Sequence, residues 1–167
     1  MLEIVGLGSQ VLLALDFEQT YWRTFLGNAV LFDKVKEFLD DLRLARIPIA
    51  VVTNLTAQIQ FRQTVYFELD KYFDYIVTSE ESGFDKPHPA PFAIAVKKMQ
   101  PKGNRIWMIG DDPVADMGGA KKAIGAVTLQ NLHDGGKPGE GENQPDATFY
   151  DYGELRILFN DILKRTM

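Results

Sequence analysis

The sequence contains no cysteine and only two histidines among its 167 residues. The absence of cysteine excludes disulfide bonds, thiolate nucleophiles and Cys-based zinc sites. It is typical of a reducing compartment, so we expect a cytoplasmic protein. A basic surface is also lacking, since the formal net charge is -5 and lysine and arginine are scattered among acidic residues. Because nucleic-acid binding relies on clustered positive charge, this composition argues against a nucleic-acid partner.

Long apolar runs are absent as well. The run Val11 to Leu15 is too short to span a bilayer and no basic stretch precedes it, so we expect neither a membrane anchor nor a secretion signal. Apolar residues nevertheless make up 46% of the chain and charged residues 25%. This composition is ordinary for globular proteins, and the length allows one domain with a sizeable core.

Predicted helices and strands alternate from residue 31 onward. Runs of strand-forming residues predict strands at Ile47 to Val52, Tyr75 to Thr78, Arg105 to Ile109, Ala126 to Leu129 and Ala147 to Tyr150. Helical spacing predicts helices at Leu31 to Leu44, Thr56 to Glu68, Pro91 to Met99, Pro113 to Ile124 and Tyr152 to Leu163, the last with Leu155, Leu158, Phe159 and Ile162 facing the core. The alternation predicts an α/β fold, a parallel sheet with helices on both faces. The glycine-rich stretch His133 to Pro145 is predicted to be a mobile surface loop.

Polar side chains follow three of the predicted strands. They are Thr53 and Asn54 after the first, Lys86 after the second, and Asp111, Asp112 and Asp116 after the third. The carboxyl ends of parallel strands meet at one edge of a sheet, so we expect these groups to converge. The set suits a phosphoryl group, because Thr53 can donate a hydrogen bond, Lys86 can balance charge and the aspartates can hold Mg²⁺. A simpler interpretation also exists, in which Thr53 caps a helix and the aspartates lie at a helix N-terminus because the helix dipole favours negative charge there.

Three motifs resemble those of the haloacid dehalogenase-like (HAD) superfamily of hydrolases. IAVVTN at Ile49 to Asn54 is similar to the family's second motif, SEESGFDKPHPAPF at Ser79 to Phe92 to its third, and IGDDPVADMGGA at Ile109 to Ala120 to its fourth. The resemblance implies a Rossmann-like fold, magnesium, and phosphatase chemistry on a small phosphate monoester through an aspartyl-phosphate. It also implies that Thr53 binds the phosphoryl group, that Lys86 steadies the nucleophile and the phosphate, and that Asp111 and Asp116 serve the metal. Asp112 would be an additional metal-linked carboxylate, and Asn54 would contact the substrate.

The family's first motif, an apolar strand followed by Asp-x-Asp-x-Thr, has no clear match. The nearest stretch is Asp16 to Thr20, in which Glu18 stands where the second Asp belongs. If residues 11–15 form a strand, Asp16 would be the nucleophile. If the aromatic spacing through Phe25 instead marks a helix of a small cap domain, the chain lacks that nucleophile. In both cases residues 1–30 form an N-terminal segment and residues 31–167 form the HAD-like core.

Three functions therefore remain open. The leading hypothesis is a magnesium-dependent phosphatase. A catalytically silent HAD-fold protein that binds a phosphorylated ligand or a partner is the first alternative, and a haloacid dehalogenase is the second. A sheet without its first strand would have unpaired edges, which would favour a homodimer in which a second copy supplies a strand.

Overall fold

The computed structural model describes residues 9–103 and 105–166, without the side chains of residue 134 and residues 163–166. The chain divides into two compact units, the N-terminal unit Met1–Leu31 and the core unit Phe32–Met167. No helix within the described ranges is both long enough and apolar enough to cross a membrane.

The described part of the N-terminal unit is built on one helix, α1 (Val11–Asn28). The rings of Tyr21, Trp22 and Phe25 contact one another, with centroids 5.0 to 6.3 Å apart. Aromatic residues three and four positions apart stabilise a helix, and neither glycine nor proline interrupts it before Gly27. The strand interpretation of residues 11–15 is therefore wrong.

The core unit alternates short parallel strands with helices. Its strands are β1 (Ala50–Thr53), β2 (Tyr75–Thr78), β3 (Trp107–Gly110), β4 (Val127–Asn131) and β5 (Ala147–Phe149). Its helices are α2 (Val35–Leu44), α3 (Ala57–Tyr66), α4 (Ser79–Ser82), α5 (Pro89–Met99), α6 (Gly119–Ile124) and α7 (Tyr152–Thr166). A π-helical turn, Pro113–Gly118, runs directly into α6. Every strand pair is parallel, which confirms the predicted α/β class.

The strands form two sheets rather than the single predicted sheet. β1 pairs with β2, while β3, β4 and β5 pair in that order. Because residues 11–15 are helical, no strand among the described residues pairs with β1 and β3 together. All residues of β1 and β3 are consequently only half-buried, whereas the last four residues of β4, which has a partner on each side, are fully buried.

Helices cover both faces of the second sheet. Trp107 and Ile109 pack against a cluster built mainly from α2 and α7, whereas Ile106 and Met108 pack against one built from α5 and α6. Alternate residues of a strand point to opposite faces, so the two clusters lie on opposite sides of β3. This arrangement directs the polar residues that follow the strands toward one edge.

The predicted core face of the last helix is wrong at one residue. Leu158 of α7 is 38% exposed and does not face the core, although Leu155 does. The stretch 133–145 lies mostly at the surface, as predicted, and contains two short 3₁₀ turns, while its mobility stays a prediction. It is also hydrogen-bonded to neighbouring elements. The Lys121 ammonium, for example, donates to the main-chain oxygen of Gln144 at 2.6 Å.

Candidate active site

The end of β1 is joined to the segment that follows β2. Asn54 Oδ1 accepts a hydrogen bond from the main-chain N–H of Lys86 at 2.7 Å, and Asn54 Nδ2 donates to the Lys86 carbonyl at 3.3 Å. Thr53 Oγ1 accepts from the main-chain N–H of Leu55 at 3.1 Å, so it closes a local turn and does not cap α3, which begins after Thr56. Asn54 therefore fixes the main chain of Lys86, and its contact with substrate stays a prediction.

Lys86 reaches the loop that follows β3. Its Nζ lies 2.6 Å from Asp116 Oδ1, and the two side chains are only 12% and 6% exposed. Asp116 Oδ2 accepts from the main-chain N–H groups of Asp111 and Asp112, both at 3.2 Å. A buried ion pair persists when further hydrogen bonds satisfy its charges, and here they do. Lys86 and the acid loop, residues 111–116, are thus brought together as the sequence predicts.

Gly110 makes this arrangement possible. A Cβ atom at Gly110 would lie 2.3 Å from Asp116 Oδ2. The carboxylate therefore folds back over the end of β3 only because that position has no side chain. With both oxygens already accepting from Lys86 and two amides, Asp116 fixes the acid loop, and its predicted role as a metal ligand stays a prediction.

Asp112 begins the π-helical turn. Its Oδ1 accepts from the main-chain N–H groups of Val114 and Ala115, both at 2.8 Å. A carboxylate at a helix N-terminus satisfies amides that have no partner within the helix and is favoured by the helix dipole. Asp112 Oδ1 therefore acts as a helix cap, as the simpler interpretation of the acidic residues predicts. Its other oxygen, Oδ2, is the one that could contact a metal.

Asp111 is the carboxylate that faces solvent. Its side chain is 65% exposed, and its Oδ2 lies 3.5 Å from His133 Nε2. Asp111 and His133 line a pocket of about 140 Å³, together with Phe32, Gly110, Asn131 and Tyr152. Burial raises the pKa of the Tyr152 hydroxyl and the negative charge of Asp111 raises it further, while a hydrogen bond with Asn131 acts in the opposite direction.

The β4 side of this pocket was not predicted from the sequence. Asn131 ends β4 and His133 follows it, so both obey the rule that placed Thr53 and Asp111 at strand ends. The predicted strand stopped at Leu129, and the glycine-rich stretch after it was assigned no function. Applying the same rule to the fourth strand would have identified these residues.

The described residues contain no group of three His, Cys, Asp or Glu side chains that could hold a metal ion by themselves. Mg²⁺, however, is commonly held by one or two carboxylates together with water and a substrate phosphate. Asp111 and Asp112 are neighbouring carboxylates after β3, and their predicted role as metal ligands stays a prediction.

Asp16 lies in the interior of α1 and is exposed. The prediction of Asp16 as the nucleophile required a strand before it, and residues 11–15 belong to a helix instead.

The fold and the three motif segments define a family. Residues 15–128 match the model of the haloacid dehalogenase-like hydrolases, and the chain belongs to that family.

Individual relatives are similar over part of their length. A ribulose-1,5-bisphosphate 5-phosphatase of Halopiger xanaduensis is 34% identical over 70% of this chain and 48% of its own, so the chain spans about half of that relative. The HAD-hydrolase YfnB of Bacillus subtilis, solved with bound magnesium, has a TM-score of 0.72 at 24% identity, over 86% of this chain and 61% of its own. A HAD family hydrolase of Deinococcus radiodurans, solved with bound phosphate and sodium, also has a TM-score of 0.72, at 21% identity, over 88% of this chain and 66% of its own. These two similarities establish the fold.

Proposed function

We propose that the core unit carries the phosphoryl-binding and metal-binding groups of a Mg²⁺-dependent phosphatase that acts on a small phosphate monoester. The observation that carries this proposal is the buried Lys86–Asp116 pair, which joins the end of β2 to the acid loop beside Asp111. The curated relative that is a phosphatase of ribulose-1,5-bisphosphate supports a small phosphorylated substrate.

Each residue has a distinct role in the proposal. The Thr53 hydroxyl donates to a phosphoryl oxygen, the Lys86 ammonium balances phosphate charge, and Asn54 sets the position of Lys86. Asp111 and Asp112 would hold the magnesium ion, and Asp116 orients the loop that presents them. When bound, Mg²⁺ supplies charge neutralisation at the phosphate.

A second candidate is a HAD-fold protein that binds a phosphorylated ligand without turnover. Covalent phosphatase chemistry needs a carboxylate nucleophile aimed at the phosphorus atom. The predicted nucleophile, Asp16, is an exposed helical residue, and that observation favours this alternative.

Location and assembly belong to the same proposal. The lack of cysteine fits the cytoplasm. Within the described ranges β1 and β3 each pair on one side only, which fits a homodimer in which a second copy supplies a strand. Light scattering after size exclusion would measure the oligomeric state.

The decisive experiment measures hydrolysis of p-nitrophenyl phosphate with Mg²⁺, and binding of inorganic phosphate with Mg²⁺ by calorimetry, on the full chain. Lys86→Ala is compared with Lys122→Ala, because Lys122 is exposed on α6. Circular dichroism checks that both variants fold. Turnover that is lost in Lys86→Ala and kept in Lys122→Ala supports the phosphatase. Binding without turnover supports the silent binder, and the absence of both overturns the two candidates.

A further inference from the structure

Gln130 is a buried amide at the end of β4 that joins two distant segments. It is only 1% exposed. Its Nε2 donates to the Asp111 carbonyl at 3.0 Å and to the Lys137 carbonyl at 3.1 Å, and its Oε1 accepts from the main-chain N–H of Gly139 at 2.9 Å. Buried polar groups are tolerated where partners satisfy them, so these contacts fix where the amide lies.

The Gln130 contact completes the support of Asp111. The main-chain N–H of Asp111 donates to Asp116 Oδ2 at 3.2 Å, and its carbonyl accepts from Gln130. Two buried side chains from different elements therefore hold both main-chain groups of Asp111. The Asp111 carboxylate is left to project toward solvent in a defined direction.

The segment on the other side of Gln130, residues 137–143, packs closely against the π-helical turn. A Cβ atom at Gly139 would lie 2.2 Å from the Asn143 carbonyl oxygen and 2.8 Å from Pro113 Cβ. A Cβ atom at Gly118 would lie 2.0 Å from Asn143 Oδ1. The approach to main chain at Gly139 requires glycine, whereas at Gly118 the Asn143 side chain could move aside, so Gly139 is the glycine that permits this packing.

We propose that Gln130 is a positioning residue for the acid loop, and that residues 137–143 are the fixed support to which it ties Asp111. The amide donates to both carbonyls at once, so its loss removes a hydrogen bond from Asp111 and from the segment together. The consequence for Mg²⁺ rests on the proposed function: if Asp111 is a ligand, losing its support should weaken metal binding about 10-fold to 100-fold, as for other groups that orient ligands.

The test uses the full chain with the variant Gln130→Met, which keeps side-chain length and removes all three hydrogen bonds. The matched control is Thr128→Val, since Thr128 is also a fully buried polar residue of β4 and donates to Asp146 Oδ2 at 2.9 Å. Hydrogen exchange is followed by mass spectrometry in peptides covering residues 108–118 and 137–143, without metal. Calorimetric titration with Mg²⁺ is the second measurement.

We expect exchange to accelerate about tenfold in both stretches of Gln130→Met and to stay unchanged there in Thr128→Val. Gly139→Ala, which disturbs the same support from the other side, should accelerate exchange at 108–118 as well and serves if Gln130→Met does not fold. Unchanged exchange at 108–118 in Gln130→Met and Gly139→Ala, or an equal increase in Thr128→Val, overturns the inference. A wild-type protein that binds no Mg²⁺ would refute the proposed function alone, because exchange still decides the role of Gln130.

Discussion

Removing one member of the Lys86–Asp116 pair should destabilise the core unit strongly. In Lys86→Met the side chain stays long and apolar, but the Asp116 carboxylate, 6% exposed, loses its only cationic partner among the described residues. Breaking a buried ion pair costs about 3–5 kcal/mol because a charge is left uncompensated. Asp116 keeps two main-chain donors at 3.2 Å, so we expect a loss near the lower limit, about 3 kcal/mol.

The double variant Lys86→Met/Asp116→Asn separates this charge effect from lost packing. It removes the buried charge and leaves a side-chain oxygen that can still accept from the amides of Asp111 and Asp112. We therefore expect the double variant to cost less than the sum of the single variants by at least about 1 kcal/mol.

The assay is urea unfolding followed by Trp107 fluorescence in a Trp22→Phe background. Trp107 lies in β3 of the core unit and Trp22 in the N-terminal unit, so the substitution leaves a reporter for the core unit alone. A loss of 3 kcal/mol lowers the midpoint by on the order of 1 M urea. The control, Lys122→Met on the exposed face of α6, should change the free energy of unfolding by less than about 0.5 kcal/mol. A Lys86→Met protein as stable as that control, or strictly additive costs in the double variant, would refute the reasoning.

Two further predictions concern Asp146 and α7. The Thr128 main-chain N–H, with smaller contributions from the Thr128 hydroxyl and the Lys121 ammonium, holds the pKa of Asp146 below its usual 3.8. The ionised Asp146 carboxylate stabilises the folded state fully above pH 3.8, and this stabilisation is lost as the pH falls through the lower pKa of the folded state. The difference in melting temperature between wild type and Asp146→Asn should therefore narrow below about pH 4. A difference that stays constant would contradict this prediction. Leu155→Ala, which empties a fully buried site, should cost about 2–5 kcal/mol in urea unfolding, and Leu158→Ala, at a residue 38% exposed, about 1 kcal/mol or less; similar losses would contradict the helix orientation.

Convergence at strand ends could be predicted from sequence because it follows from topology. Parallel strands of one sheet place their carboxyl ends together, which is why Lys86 and the acid loop were predicted to converge. β2 and β3 lie in different sheets, so the Lys86–Asp116 contact itself had to come from the structure. Which aspartate binds main-chain amides and which faces solvent could not be predicted. Asp116 lies four and five residues from Asp112 and Asp111, a spacing that serves ligands of one metal and acceptors for main-chain amides equally well.

Two other features were left open by the sequence or missed in it. The run VLLAL suits a buried strand or a helix, and the aromatic contacts of residues 21–25 are what identify the helix. The composition of residues 133–145 suggested mobility, which stays a prediction, but it did not reveal that Gln130 joins this stretch to β4 through Lys137 and Gly139, 7 and 9 residues away. No local sequence pattern indicates that a glutamine hydrogen-bonds to two segments that are distant along the chain.

The division of the strands into two sheets has a mechanical consequence. No ladder of main-chain hydrogen bonds joins β1 and β2 to β3 within the described residues, so contact between the two sheets depends on side chains and on helix packing, such as that of α5 against β1, β2 and α6. The Lys86–Asp116 ion pair connects the two sheets, with Thr53 at the end of β1 on one side and Asp111 after β3 on the other. Packed elements can slide past one another without breaking a strand ladder, so we expect movement between the two sheets to change the distance from Thr53 to Asp111 before it disturbs either sheet.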